Sequence, residues 1–424
     1  KGRFTIIFFN SLEEIKIYKS HAIENGVEKK FHSHKDYIES IYSNYQVNIF
    51  YKEAIPLPII IGNLSFDLCK FTLPKLTYNE NKNTIGIPLA HFVKPKNLII
   101  IDNILNQVHL IDISNNRNKS IKDIEKLNNI INNEKTNFKK VKVKIFNKKF
   151  KPLMSKNSFL KKVNLIKKEI TKGEIFQAVL SQRFENDYKI DPFNFYRALR
   201  SINPSPYLVY LNFSEYQIIC SSPETMIKVN DDLVTLRPIA GTRKRGKTNE
   251  EDEFNKNELL NDKKELAEHL MLVDLGRNDV GTISQIDSVK VTEKNIVEYY
   301  SHVMHIVSNV TGKIRKRLSP IDVLFAGLPA GTVSGAPKIR ALQILEELEN
   351  NNREFYAGSV CYLDANGNMD SCINLRTALI KDKKIYAQSG AGIVYDSKDK
   401  SEYDECINKA QALFNAYSIA HEIQ

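Results

Sequence analysis

Two pairs of glutamates have spacing that could hold a hard cation. Glu265 and Glu268 lie three apart in a stretch, 257–275, that reads as one long helix, so they share a face that Leu272 continues. The segment after Ala267 is unusually apolar for a surface helix, and carboxylates beside a buried run are costly unless paired or metal-bound. Glu402 and Glu405 repeat the spacing in a last helix read over 402–419, with Lys409 one turn on. Two such helices could close on one Mg2+, which takes carboxylate oxygens, keeps waters and leaves positions for an anionic substrate. Ordinary surface glutamates paired with lysines explain either pair alone equally well.

Other residues carry weaker signals. Gly331-Thr332-Val333-Ser334-Gly335-Ala336-Pro337-Lys338 offers backbone N–H groups and two hydroxyls ahead of a helix, with Pro337 expected near its first position. No Ser or Thr follows Lys338, so this is not a Walker loop, and Gly390-Ala391-Gly392 lacks the third glycine of a dinucleotide fingerprint. Arg376 reads as mid-strand among apolar neighbours, where it needs an anion, either a substrate carboxylate or a structural one. His305, in an apolar strand, is by itself more simply a satisfied core histidine.

The elements that must position these residues change in texture along the chain. Residues 1–150 alternate short β-rich runs (4–9, 59–61, 98–101) with polar breaks, a helix over 115–137 and a half-buried strand over 141–145. Residues 151–158 read as a connector. Helices follow over 158–171, 192–202 (from Asp191), 257–275, 320–328, 339–350 and 402–419. Strands are expected over 177–184, 233–236, 289–292, 303–311 and 384–394, with hairpins 207–213/216–220 and 358–364/372–380. Residues 238–245 read as a Gly- and Arg-rich loop. The sum is an α+β fold with large, mostly antiparallel sheets forming a sandwich-like core, divided into a 1–150 region and a 151–424 catalytic domain.

Composition narrows the class. With 424 residues and 42% apolar content, a large core can form. Much of the net charge of +11 sits in Lys135, Lys139, Lys140, Lys142, Lys144, Lys148, Lys149 and Lys151. No nucleic-acid motif accompanies that run, so a solvated sheet edge is the simpler reading than nucleic-acid binding. Cys69, Cys220, Cys361, Cys372 and Cys406 are scattered singly, which fits a reducing cytoplasm. No apolar run is long enough to span a bilayer and no signal peptide is visible, although the opening Lys1 reads as a truncated or processed start.

Read together, the stretches 173–183, 222–224, 237–243, 265–281, 329–338, 373–378 and 390–405 resemble the chorismate-utilising enzymes, most closely the large subunit of anthranilate synthase. The resemblance runs nearly unbroken from about 158 to 420. It implies that Glu268 and Glu405 bind Mg2+ directly, with Glu265 and Glu402 acting through water. Arg376 and Tyr356 would hold the enolpyruvyl carboxylate, helped by Lys409 and by backbone N–H groups around Gly390, Ala391 and Gly392. Glu224 would protonate the departing C4 hydroxyl, and Thr242, His305 and Thr332 would line the pocket. Gln177 stands where family members that add water carry a basic Lys, so ammonia is the implied nucleophile. Ala240 stands where aminodeoxychorismate synthases carry a nucleophilic Lys. The implied reaction is amination of chorismate at C2 with loss of pyruvate. Aminodeoxychorismate synthesis, or a non-catalytic paralogue, is the alternative. The chain has no Gly-x-Cys-x-Gly elbow, so ammonia from glutamine implies a separate amidotransferase subunit and a hetero-oligomer. Asn203-Pro204-Ser205-Pro206-Tyr207 resembles the family's tryptophan feedback site, whose other element is expected before Gly2. Asn63 and Phe66 fall where the family has tyrosines.

Overall fold

A computed structural model describes residues 2–45, 47, 55–73, 75–133, 149–300 and 303–422. The strand expected over 141–145, and most of the lysine run, lie outside the described residues. Two sheets carry the fold. The larger, of thirteen strands, runs Ile239–Lys244, Val303–Lys313, Leu233–Leu236, Thr225–Asn230, Met369–Ile373, Ser359–Asp364, Pro58–Leu64, Ala90–Asp102, Phe4–Ile17, His21–Glu24, Val27–Lys30, with Lys290–Tyr299 and Gln107–Asp112 pairing off this path. The smaller, of seven, runs Gly335–Ala336, Gln177–Asp187, Lys384–Ile393, Thr377–Lys381, Tyr216–Ser222, Tyr207–Asn212, with Lys151–Pro152 on the edge of the second strand. The pairings are antiparallel, and strands from before and after residue 150 share the larger sheet, as where Ser359 opposes Leu64.

Period-two alternation sorts each strand of the smaller sheet between two cores. Ile218, Cys220 and Leu379 turn inward and pack with Ile227, Cys372 and Leu324 beneath the larger sheet. Their neighbours Ile219, Ala378 and Ile380 turn outward onto the helices Pro192–Ile202 and Asp399–Ala420, through Phe195, Leu413 and Tyr417. This is the sandwich-like α+β architecture that the strand pattern implied.

Helix signals in the sequence act as expected at several ends. Asp191 accepts from the Phe193 N–H and Pro192 opens the helix. Ser319 and Asp322 form a reciprocal cap ahead of Pro320–Gly327.

Three elements differ from expectation. The single helix over 257–275 is two, Asn249–Asn261 and Lys263–Gly281. Asp262 breaks them with extended backbone (ψ 105) and turns its carboxylate onto the N–H groups of Lys264 and Glu265. The Gly- and Arg-rich loop is largely a strand, Ile239–Lys244, paired with Val303–Lys313. The strand over 372–380 is two. Met369–Ile373 closes its hairpin in the larger sheet, and Thr377–Lys381 belongs to the smaller one. Arg376 therefore sits not mid-strand but at the kink between sheets, with φ 48.

Candidate functional site

The kink at Arg376 marks where chemistry-bearing groups gather. Its guanidinium is half-buried, and among the described residues no side chain or carbonyl hydrogen-bonds to it. Burial lowers its proton affinity, while the nearby negative charge of Glu224 raises it. Glu224 lies between Tyr216–Ser222 and Thr225–Asn230 with 7% of its surface exposed. Burial pushes its carboxyl up to about 7, against the pull of Thr332 and of the positive charges on Lys409 and Arg376. The Thr332 hydroxyl is buried near enough to Glu224 to lower its pKa but makes no well-formed hydrogen bond. Lys409 donates to the Gly390 carbonyl at 3.1 Å and pairs with Glu405 at 2.6 Å.

A second group borders the first. Gly390 and Gly392 oppose Ser181 and Val179 across two strands. A β-carbon on Gly390 would lie 3.0 Å from the Tyr356 hydroxyl, and one on Gly392 would lie 2.5 Å from the Gln177 amide nitrogen. Only bare backbone lets Tyr356 and Gln177 approach this strand. Ala391 points its methyl to the opposite face, into the core under the helix Lys156–Thr171, so only its backbone is turned to the site. Tyr356 is buried, which holds its hydroxyl protonated.

His305 opposes Thr242 across the strand pair. Its Nδ1 lies 2.9 Å from the Gly241 carbonyl and 3.0 Å from the Thr242 hydroxyl. A carbonyl can only accept, so Nδ1 carries the proton and Nε2 presents a lone pair. Burial, with the Arg376 charge, lowers its pKa, so the ring is neutral at physiological pH.

The four glutamates come from helices Lys263–Gly281 and Asp399–Ala420. Burial raises the Glu268 pKa, and Glu265, Glu405 and Glu402 add negative charge to the same effect. Glu402 is buried and raised likewise, with Glu405 adding. Carboxylates that hinder one another's ionisation share a space, and a dication would relieve the conflict. They do not yet converge on one point: among the described residues no three acidic, histidine or cysteine side chains are arranged to enclose an ion. Glu265 pairs instead with Arg243 at 3.2 Å, and Glu268 stands 3.8 Å from Lys264. The donor chemistry fits Mg2+, provided these lysine and arginine contacts are exchanged for it.

Two further features named from the sequence are placed as follows. Lys338 pairs with Asp279 at 2.7 Å, so its charge is taken, and Pro337 is the cap residue preceding the helix Lys338–Leu348. Asn203 ends the helix Pro192–Ile202 and donates to Ser221 at 3.1 Å, while Tyr207 donates to Asp370 at 2.9 Å. Pro204, Ser205 and Pro206 lie between them, and a β-carbon on Gly2 would lie 3.9 Å from the Pro206 carbonyl. This group borders the strand ends that flank Glu224, since the Tyr207 hydroxyl lies 2.8 Å from that of Thr225, and it joins the site through Ser221, whose N–H donates to the Arg376 carbonyl at 3.2 Å.

With that geometry in hand, the chain matches the model of the chorismate binding enzyme family over residues 1–415. It is 45% identical over 378 residues to anthranilate synthase component 1 of Acetivibrio thermocellus, covering 86% of this chain and 76% of that one.

The chain belongs to the chorismate-binding enzymes.

The component 1 protein of Aquifex aeolicus is 40% identical over 453 residues, covering all of this chain and 91% of its own. The crystal structure of anthranilate synthase component I from Streptococcus pneumoniae superposes with a TM-score of 0.89 at 37% identity, covering 97% of this chain and 92% of that one. Among the described residues no helix is long and apolar enough to cross a membrane.

Two further residues beside these groups were not singled out from the sequence. The Tyr300 hydroxyl donates to Glu298 at 2.9 Å, and the residue is close enough to Arg376 to act on its charge and close enough to Glu224 to be held protonated by it, burial contributing most. Arg243, read as part of a loop, reaches Glu258, Asp262 and Glu265 together. Its alternation in a half-exposed strand was masked by the adjacent Gly241.

Proposed function

We propose that this chain is the large, chorismate-using component of an anthranilate synthase. It aminates chorismate at C2 with ammonia and eliminates pyruvate to give anthranilate, the first step of tryptophan biosynthesis. The observation that carries the reading is a buried carboxylic acid, Glu224, with its pKa raised to about 7, beside an arginine whose guanidinium has no hydrogen-bond partner among the described residues. A proton donor poised near neutral pH suits expulsion of a poor leaving group, and a half-buried guanidinium without a protein partner there suits a carboxylate substrate.

In this reading Glu224 protonates the C4 hydroxyl as it leaves. Arg376 and Tyr356 hold the enolpyruvyl carboxylate, with Lys409 and the backbone of Gly390 to Gly392 closing around it. Glu268 and Glu405 would hold Mg2+, with Glu265 and Glu402 beside them. Bound there, the ion supplies positive charge against the ring carboxylate. Thr332, Thr242 and His305 line the remaining walls. His305 is oriented by Gly241 and offers an acceptor at Nε2. Gln177 carries no base at neutral pH, so it favours ammonia over water as nucleophile, and Ala240 offers no amine of its own. An amidotransferase subunit in the cytoplasm would deliver ammonia from glutamine, with free ammonium as a substitute, and tryptophan would bind around 203–207.

Product identity tests the reading. The protein is incubated with chorismate, Mg2+ and ammonium, and the products are separated by mass and fluorescence. Anthranilate is expected. Accumulation of 4-amino-4-deoxychorismate would replace the reading with its nearest alternative, and no turnover would favour a non-catalytic paralogue.

A further inference from the structure

Behind the residues assigned to chorismate lies a buried ion pair with no assigned role. Glu349 and Arg353 are 9% and 1% exposed. They sit beside the strand Gln177–Asp187 at a gap in its edge. Gly335–Ala336 covers Gln177 and Ala178, and Lys151–Pro152 covers Phe184 and Glu185. The Val179 N–H still donates to the Ser334 carbonyl, and the Arg183 carbonyl accepts from Leu153, but between these the Val179 carbonyl and the Ser181 N–H are met by side chains. Arg353 Nη2 donates to the Val179 carbonyl at 2.6 Å, and the Ser181 N–H donates to Glu349 Oε1 at 2.9 Å. The Ser181 hydroxyl donates to the same oxygen at 2.7 Å.

The same guanidinium reaches further. Nη1 donates to the Val333 carbonyl at 2.7 Å, while Nε and Nη2 donate to the two Glu349 oxygens at 2.8 Å each. The Arg353 carbonyl in turn accepts from the Tyr356 N–H at 3.2 Å. Each anchored backbone group is therefore next to, or directly paired with, a residue assigned to chorismate. Val333 follows Thr332, Val179 opposes Gly392, and Ser181 opposes Gly390.

We infer that Glu349 and Arg353 are positioning residues: their ion pair stands in for a missing stretch of strand and fixes the Thr332 loop against Gly390, Gly392 and Tyr356. The inference rests on the assignment of those four residues to chorismate. A desolvated ion pair adds little net stability over well-packed apolar side chains, so stability alone is a poor reason for one here. A planar fork that satisfies two carbonyls from different segments is something an apolar side chain cannot supply. Neither group is among the residues assigned to chorismate; they act through the backbone they hold and, for Arg353, through the face of the Tyr356 ring, 5.8 Å from its centre.

The test compares wild type with the double variant Glu349→Gln/Arg353→Met, which removes both charges and keeps an acceptor for Ser181. Two readouts are taken at a temperature where both proteins are folded. One is kcat and KM for chorismate with Mg2+ and ammonium. The other is amide hydrogen exchange over 177–181 and 331–335. The expected result is faster exchange in both segments and a loss in kcat/KM of about tenfold or more, since small misplacements of substrate contacts are costly, with KM for ammonium unchanged. Unchanged exchange, or faster exchange with wild-type kcat/KM, overturns the inference. If the double variant does not fold, Arg353→Lys keeps the charge but cannot reach both carbonyls, and the same two readouts decide. If wild type itself makes no anthranilate, the functional reading fails, and exchange still reports whether the pair fixes these segments.

Discussion

Replacing Glu224 by glutamine should improve stability and destroy turnover, with each effect confined to its own pH range. The carboxyl is 7% exposed, and its pKa is raised from 4.5 to about 7 in the folded chain. The folded state thus keeps a proton that the unfolded state releases. Below the unfolded value, both states hold the proton and burial of the acid carries no ionisation cost. As pH rises through the window from 4.5 to about 7, the folded state progressively loses stability, and above it the loss is complete. The shift corresponds to about 3 kcal/mol, at roughly 1.4 kcal/mol for each pH unit. Glu224→Gln cannot ionise, so the variant should gain most of that margin over wild type at about pH 8.5 and almost none at about pH 4.5. Urea unfolding across that range measures it. The same substitution removes the proton donor, so kcat for anthranilate formation should fall roughly a hundred- to ten-thousand-fold. Wild-type kcat/KM should decline as pH rises past about 7, and residual activity in the variant should lack that decline. A variant that turns over within about threefold of wild type, or whose stability follows pH as wild type does, refutes the reasoning.

Three further outcomes follow from the same geometry. Arg376 occupies left-handed backbone (φ 48), so Arg376→Gly should leave thermal stability unchanged or slightly higher while raising KM for chorismate at least tenfold, by calorimetry and kinetics. Loss of stability without a change in KM would argue for a structural arginine. Gly392→Ala places a β-carbon 2.5 Å from the Gln177 amide, the mobile end of a side chain, so the protein should fold but lose activity through displacement of Gln177. Gly331→Ala meets Leu275 at 2.1 Å, and the added Leu275→Ala substitution should restore part of the activity by making room.

Much of the fold was readable because its signals are local. Asp191 before Pro192, and the strand-like run 177–184 within Gln177–Asp187, need no knowledge of distant residues. The misreadings share a cause. Arg376 stands in an apolar alternation with no glycine to announce a kink, and the sheet exchange there is decided by packing on both sides. Asp262 lies within a run of good helix formers, so its capping geometry was hidden. Of the site, the glutamate pairs were visible through their three-residue spacing, but their mutual influence depends on two helices far apart in sequence. Glu349 and Arg353 show in sequence only as an i,i+4 charge pair; their role was hidden because the partners that link them to the site are backbone groups, which leave no trace in residue type.

The central claim is that the two glutamate pairs hold the metal over which chorismate is aminated. It is tested most directly by titrating Mg2+ into wild type and Glu405→Ala with chorismate and ammonium, while following anthranilate fluorescence. Saturable, Mg2+-dependent anthranilate formation in wild type and its loss in the variant are expected. Equal activity in the two proteins at every Mg2+ concentration would contradict the account.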